Sequence, residues 1–106
     1  MTGATGAVYG MRLLQELRRV GGIETHVVIS KAGALSAAAE LDVGRRELEA
    51  LGDVAHGEKD IGASIASGSF KTYGMIIAPC SMRTLASIST GVTYNIVTRA
   101  AEVALK

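Results

Sequence analysis

A glycine-rich turn, Thr2-Gly3-Ala4-Thr5-Gly6-Ala7, runs straight into a helical pattern, and this junction restricts the chain more than any other feature. Glycines at a helix start let backbone N–H groups approach an anion, and the helix dipole adds favourable partial charge at the same place. Leu13, Leu14, Leu17 and Val20 fall on one face of that helix, with Arg12, Glu16, Arg18 and Arg19 largely off it, and Gly21-Gly22 stops it. Gly3, Gly6 and Gly10 are spaced G-x-x-G-x-x-x-G, which is not the dinucleotide fingerprint G-x-G-x-x-G. A phosphate site and a tight turn with close helix packing account for these glycines about equally well.

The rest of the chain alternates strand and helix signals. Thr25 to Ser30 is a short β-branched run between breakers and reads as a buried strand. Residues 32–41 are alanine-rich and helix-compatible, and Arg45 to Leu51 predicts a further short helix. From Gly52 to Tyr73 glycines and serines predict a loop with one helical turn. Gly74-Met75-Ile76-Ile77-Ala78-Pro79 reads as a second strand ended by proline, with a helix from about Ser81 or Met82. Ile96, Val97, Ala100, Val103 and Ala104 give a last amphipathic helix whose polar stripe is Asn95, Arg99, Glu102 and Lys106. This order predicts an α/β fold with a parallel sheet. A phosphate-binding turn normally leaves the end of a strand, yet only Met1 precedes this one, and Lys106 ends a helix with no capping glycine. The expectation is a single domain over residues 1–106 that is incomplete, truncated at both ends.

Bulk properties narrow the function. A chain of 106 residues with 48% hydrophobic content suits one domain. A net charge of +1 with interspersed signs gives no footprint for nucleic acid or an anionic membrane. No apolar run approaches the ~20 residues of a membrane span, and no signal-peptide pattern opens the chain, so a cytoplasmic location is expected. Cys80 stands alone, so it builds no intrachain disulfide framework and has no CxxC partner for zinc. The abundance of Ala and Gly also suits helices that pack against copies of the same chain.

Two strand ends carry the candidate chemistry. Where a dinucleotide site places an acid for the ribose hydroxyls, this chain has Ser30-Lys31. NAD is disfavoured, a mononucleotide phosphate or flavin suits Ser30, and Lys31 leaves NADP open. Pro79-Cys80-Ser81-Met82-Arg83-Thr84 stands at the carboxyl end of the second expected strand, where open α/β sheets bind ligands, although taken alone an ordinary N-cap serine explains Ser81 somewhat better.

Taken together, Thr-Gly-Ala-Thr-Gly-Ala-x-Tyr-Gly, Ile-Ser-Lys-Ala, Ala-Glu-Leu-Asp, Ser-Gly-Ser-Phe, Pro-Cys-Ser-Met-Arg-Thr-Leu and Thr-Arg-Ala-Ala-Glu-Val-Ala-Leu-Lys resemble, in order and spacing, the flavin prenyltransferases of the UbiX type. The resemblance runs through the whole chain. It implies a Rossmann-like (flavodoxin-like) three-layer fold and transfer of a dimethylallyl group from dimethylallyl phosphate to reduced FMN, with no metal. The prenylated FMN would serve a partner decarboxylase, in ubiquinone biosynthesis or aromatic-acid decarboxylation, and the protein would be a homo-oligomer. By motif, Gly3, Ala4 and Thr5 correspond to an FMN-binding turn, Ser30 to a flavin contact, and Ser81, Met82, Arg83 and Thr84 to a second flavin segment. Glu40 falls on an acidic active-site position, and Arg99 and Lys106 on basic positions near the isoprenyl phosphate. Thr5 stands where many members have Ser, which keeps the hydroxyl but narrows the turn. The family continues past Lys106 with further site residues that this sequence does not contain.

Three alternatives share some of these features. An FMN-dependent decarboxylase of the same superfamily, acting on peptidyl- or pantothenoyl-cysteine, would share fold and flavin site, but the Arg99–Lys106 stripe argues against it. An NADP-dependent reductase of the atypical short-chain type opens on a similar turn, but Gly10 lies one residue too late for its motif. A non-catalytic flavin-binding module is the third.

Overall fold

In the computed structural model, which describes residues 1–60, 65, 67 and 73–105, β1 (His26–Val28) pairs in parallel with β2 (Val54–His56), His26 opposite Val54 and Val28 opposite His56. Between them the chain crosses over through α2 (Lys31–Leu41) and α3 (Arg45–Glu49); α1 (Ala7–Val20) precedes β1, and α4 (Met82–Thr90) and α5 (Ile96–Leu105) close the order. Side chains alternate across a strand, so β1 buries both faces. Val27 and Ile29 pack with Ala7 and Leu14 of α1, Ala37 of α2 and Leu48 of α3. Val28, on the opposite face, packs on Ile65 and on Ile96 and Ala100 of α5. Helices on both sides of a parallel pair make the three layers.

The ends of α1 follow from glycine. Gly6 precedes it at φ 106°, and Gly21 ends it at φ 72° with its N–H on Leu17 O at 3.1 Å. Its buried row is Ala7, Gly10 and Leu14, whereas Val20, expected on the apolar face, is exposed. Gly10 sits in that row because a Cβ there would collide with Ala78 O and the Met1 side chain. At this glycine the structure favours close packing over phosphate approach.

Two expectations are corrected. Val54–His56, inside the segment read as loop, is a strand, because Thr25 offers its carbonyl to the Asp53 and Val54 N–H groups at 2.9 and 3.0 Å and starts the ladder. Residues 74–79, read as a strand, are not one. A strand needs a partner run, and the backbone bond made here is Thr2 N–H to Pro79 O, 3.1 Å. Met1 lies between, its amine on Val28 O at 2.7 Å and its carbonyl taking the Ser30 N–H at 3.0 Å. The lateral order is therefore β2, β1, residues 1–2, then Pro79. Upstream of Met1 and Ala78 the sheet opens into an apolar groove of about 970 Å3, walled by Leu13 and Leu17, Met75 to Ile77, and Val97 and Ala100. The expected helical turn between Gly52 and Tyr73 and the Ser-Gly-Ser-Phe motif lie largely outside the described residues.

The β1–β2 pair also carries a titratable cross-strand contact. The His26 and His56 rings stack at 5.1 Å, with His26 Nδ1 2.8 Å from His56 Nε2, and Glu24 takes the other His26 nitrogen at 2.6 Å. Burial first, and then the charge of His26, push His56 below its ordinary 6.5, against the opposing pull of Asp60. The neutral form is thus favoured in the fold, and the unfolded chain binds more protons. Stability should be complete above the ordinary value and fall as pH drops through it toward the lowered one. His56→Gln should flatten that acid limb in unfolding measured across pH.

Candidate functional site

Three helix N-termini meet at the carboxyl end of the sheet, and one buried hydroxyl joins two of them. Thr2, 3% exposed, donates its hydroxyl to Pro79 O at 2.7 Å and accepts the Ser81 N–H at 2.8 Å. The first glycine turn and the 79–84 turn are therefore one unit. The third turn, Ser30-Lys31, joins through the Ser30 N–H to Met1 O bond and through Gly3, where a Cβ would stand 2.6 Å from the Ala32 Cβ. Aligned helix dipoles and first-turn N–H groups make such an edge favourable for an anion.

Each expected site residue has a definite place. Ser30 caps α2, its Oγ accepting the Gly33 N–H at 3.0 Å, and it is buried. Ser81 caps α4 in the same way, its Oγ accepting the Thr84 N–H at 3.2 Å and donating to Thr84 Oγ1 at 2.9 Å. Both serines thus do the ordinary capping work, and both stand at the shared edge. Thr84, 2% exposed, also meets the Tyr94 hydroxyl at 3.1 Å. The Arg83 guanidinium lies 4.2 Å over the Tyr94 ring, which holds this cation beside the turn. Met82 is exposed, as are Gly3 and Thr5, with Ala4 half-buried.

Glu40 reaches the first turn from α2. Its Oε1 accepts the N–H groups of Gly6 and Ala7 at 3.0 and 3.2 Å, so the chain's own carboxylate caps α1. An anion arriving there competes with Glu40 for those donors. Arg99 lies one turn into α5 and pairs with Glu102 at 3.4 Å. Asn95 precedes the helix as its cap, its Oδ1 accepting the Thr98 N–H at 3.0 Å. The polar stripe is therefore partly neutralised within itself. Lys106 lies outside the described residues.

Sequence reasoning passed over Thr2, Tyr94 and Glu58. Thr2 could have been found as the last residue before the glycine turn, where a strand end meets its neighbour. Tyr94 stands ten residues from Thr84 with no periodicity to link them. Nothing in the sequence distinguishes Glu58 from a surface acid.

The Arg83 guanidinium and the capped N-termini of α2 and α4 favour a phosphate monoester at this edge, and β1 does not end in an acid that would hold ribose hydroxyls. That chemistry fits FMN. Thr2→Val, which keeps the shape and removes the hydroxyl, leaves the Ser81 N–H without its partner and should cost about 1–3 kcal/mol. Chemical unfolding of the intact variant gives the value, and a loss near zero would show that the two turns are not coupled through Thr2.

This arrangement defines an α/β protein with an anion-favouring edge at the carboxyl end of its parallel sheet. Residues 1–106 match the Flavoprotein family throughout, and the chain belongs to it. The chain is similar to flavin prenyltransferase UbiX of Escherichia coli strain K12, 53% identical over all 106 residues and 56% of that protein. It is also similar to a probable UbiX-like flavin prenyltransferase of Streptomyces sp. strain D7, 52% identical over all of this chain and 53% of that one. A crystal structure of AnUbiX (PadA1) in complex with FMN and dimethylallyl pyrophosphate superposes with a TM-score of 0.94 at 44% identity, covering 97% of this chain and 54% of that one. A dodecameric FMN-dependent UbiX-like decarboxylase from Escherichia coli O157:H7 gives 0.97 at 48% identity, covering 99% and 57%. The chain thus spans about half the length of the curated relatives it matches.

Proposed function

We propose that this chain supplies the FMN-binding part of a flavin prenyltransferase that moves a dimethylallyl group from dimethylallyl phosphate to reduced FMN. The observation that carries this reading is the Thr2 junction, which fuses two phosphate-favouring turns into one edge beside the Ser30 turn. Likeness to UbiX proteins across all of this chain and about half of theirs supports that chemistry for such an edge. Gly3, Ala4, Thr5, Ser30, Ser81, Met82, Arg83 and Thr84 hold the flavin nucleotide. In the transfer the allylic C–O bond breaks with its electron pair leaving on phosphate, the carbon bonds to the flavin, and the flavin gives up a proton there. Arg99 and Lys106 stabilise the oxygen that gains charge. Glu40 is the acid of the set and keeps the Thr5 turn ordered until an anion competes for Gly6 and Ala7.

Residues 1–106 are read as one flavin-binding domain that is incomplete as it stands, a reading the open apolar groove supports. The intact protein is a cytoplasmic homo-oligomer that hands its prenylated FMN to a decarboxylase. Exposed Tyr73, Ile76, Leu85 and Leu105 suit subunit contacts, and the similar Escherichia coli O157:H7 protein is dodecameric. Among the described residues no helix is long and apolar enough to cross a membrane. That same relative is described as a decarboxylase, so an FMN-dependent decarboxylase is the second reading. Titrating the intact protein with FMN and with NADP tests the nucleotide site: FMN binds tighter, and tighter NADP binding would sink the flavin reading.

A further inference from the structure

We propose that Glu58 is a positioning residue that fixes the distance between the Ser30 turn and the cation-bearing helix α5. This rests on the reading of Ser30 as a flavin contact and of Arg99 as a cation for the donor phosphate. Glu58 follows β2 and reaches both elements. Its Oε1 accepts the Lys31 N–H at 2.9 Å, in the first turn of α2. Its Oε2 accepts the Asn95 Nδ2–H at 3.4 Å, and its backbone carbonyl accepts the Ile96 N–H at 2.8 Å, at the start of α5. One residue therefore ties two helix N-termini together, where a carboxylate is favoured by both dipoles.

The tether ends next to the residues that matter. Ser30 precedes Lys31, and Arg99 follows Asn95 by one turn, its N–H on Asn95 O at 3.0 Å. Asn95 cannot flip its amide to suit a changed partner, because its Oδ1 already accepts the Thr98 N–H at 3.0 Å and the Thr98 hydroxyl at 3.2 Å. The polarity of the link is thus fixed, with Asn95 donating and Glu58 accepting. A shift of about 1 Å in a group placed for reaction can cost about 10²-fold in rate, so a link that holds α5 against the flavin turn acts on transfer without touching either substrate.

The fixed polarity supplies the experiment. In the intact protein Glu58→Gln sets two donor amides against each other, and Asn95→Asp sets two carboxylates against each other. The double variant Glu58→Gln/Asn95→Asp restores one bond with its direction reversed, while the introduced carboxylate still caps α5. Single-turnover prenyl transfer should slow about tenfold in each single variant, with FMN affinity much less affected, and recover most of that loss in the double variant. Amide hydrogen exchange at Lys31 and Ile96, which needs no substrate, should quicken in the single variants and slow again in the double one. Unchanged exchange in the single variants overturns the tether, and restored exchange without restored rate overturns its positioning role. A wild type that binds FMN but transfers nothing contradicts the prenyltransferase reading instead, and the exchange pattern then decides the tether by itself.

Discussion

Replacing Arg99 by Ala in the intact protein is expected to slow prenyl transfer by about 2.7–4 kcal/mol in the transition state, about 10²–10³-fold, with FMN affinity nearly unchanged. When the allylic C–O bond breaks, the departing phosphate oxygen gains charge, and a cation aimed at it strengthens its contact in the transition state more than in the ground state. Arg99 sits on the first turn of α5, half-buried and paired with Glu102 at 3.4 Å. In the proposed reading the flavin nucleotide is held elsewhere, by the 3–5, Ser30 and 79–84 turns. Lys106→Ala should act in the same direction, since the sequence spacing sets Lys106 on the same expected polar stripe as Arg99, and Lys106→Arg should rescue only in part because a planar fork does not replace a compact ammonium. Single-turnover rates beside FMN titrations separate the two effects. Unchanged rates would return the stripe to a solvated or subunit-contact face.

Ile29→Ala should cost about 2–5 kcal/mol of stability, the range for truncating a buried aliphatic side chain. Ile29 is fully buried between α1, α2 and α3, in the cluster with Leu14 and Leu48, and its carbonyl takes the Arg45 guanidinium at 2.5 Å. The next residue is Ser30, the cap of α2, so a cavity here loosens the Ser30 turn as well as the core. Ile29→Val should cost only about 0.5–1.5 kcal/mol. Urea unfolding of the intact variants measures both, and an alanine loss no larger than the valine one would mean that α3 closes the space.

Helices were the most legible part of the fold in the sequence. Gly21-Gly22, Ser30 and Ser81 are local stop and start signals, and they end α1 and open α2 and α4 where expected. Strands were less legible, since a strand exists only with its neighbour. The apolar run at 74–79 has strong local character but meets only Thr2, whereas the plain Val54–His56 segment becomes a strand because Thr25 receives it. The same division holds at the site. Ser30 and Ser81 are legible as helix caps, but Thr2 and Glu58 act across 79 and 37 residues of sequence, a reach that no local pattern encodes. Glu40 was placed by resemblance alone, and its capping of α1 became visible only when α2 was packed against the first turn.

Intact protein incubated with reduced FMN and dimethylallyl phosphate, then analysed by mass spectrometry, should yield flavin heavier by one dimethylallyl group, and no adduct when either substrate is omitted. Protein that binds FMN fully and returns it unmodified in the presence of the donor would contradict the account.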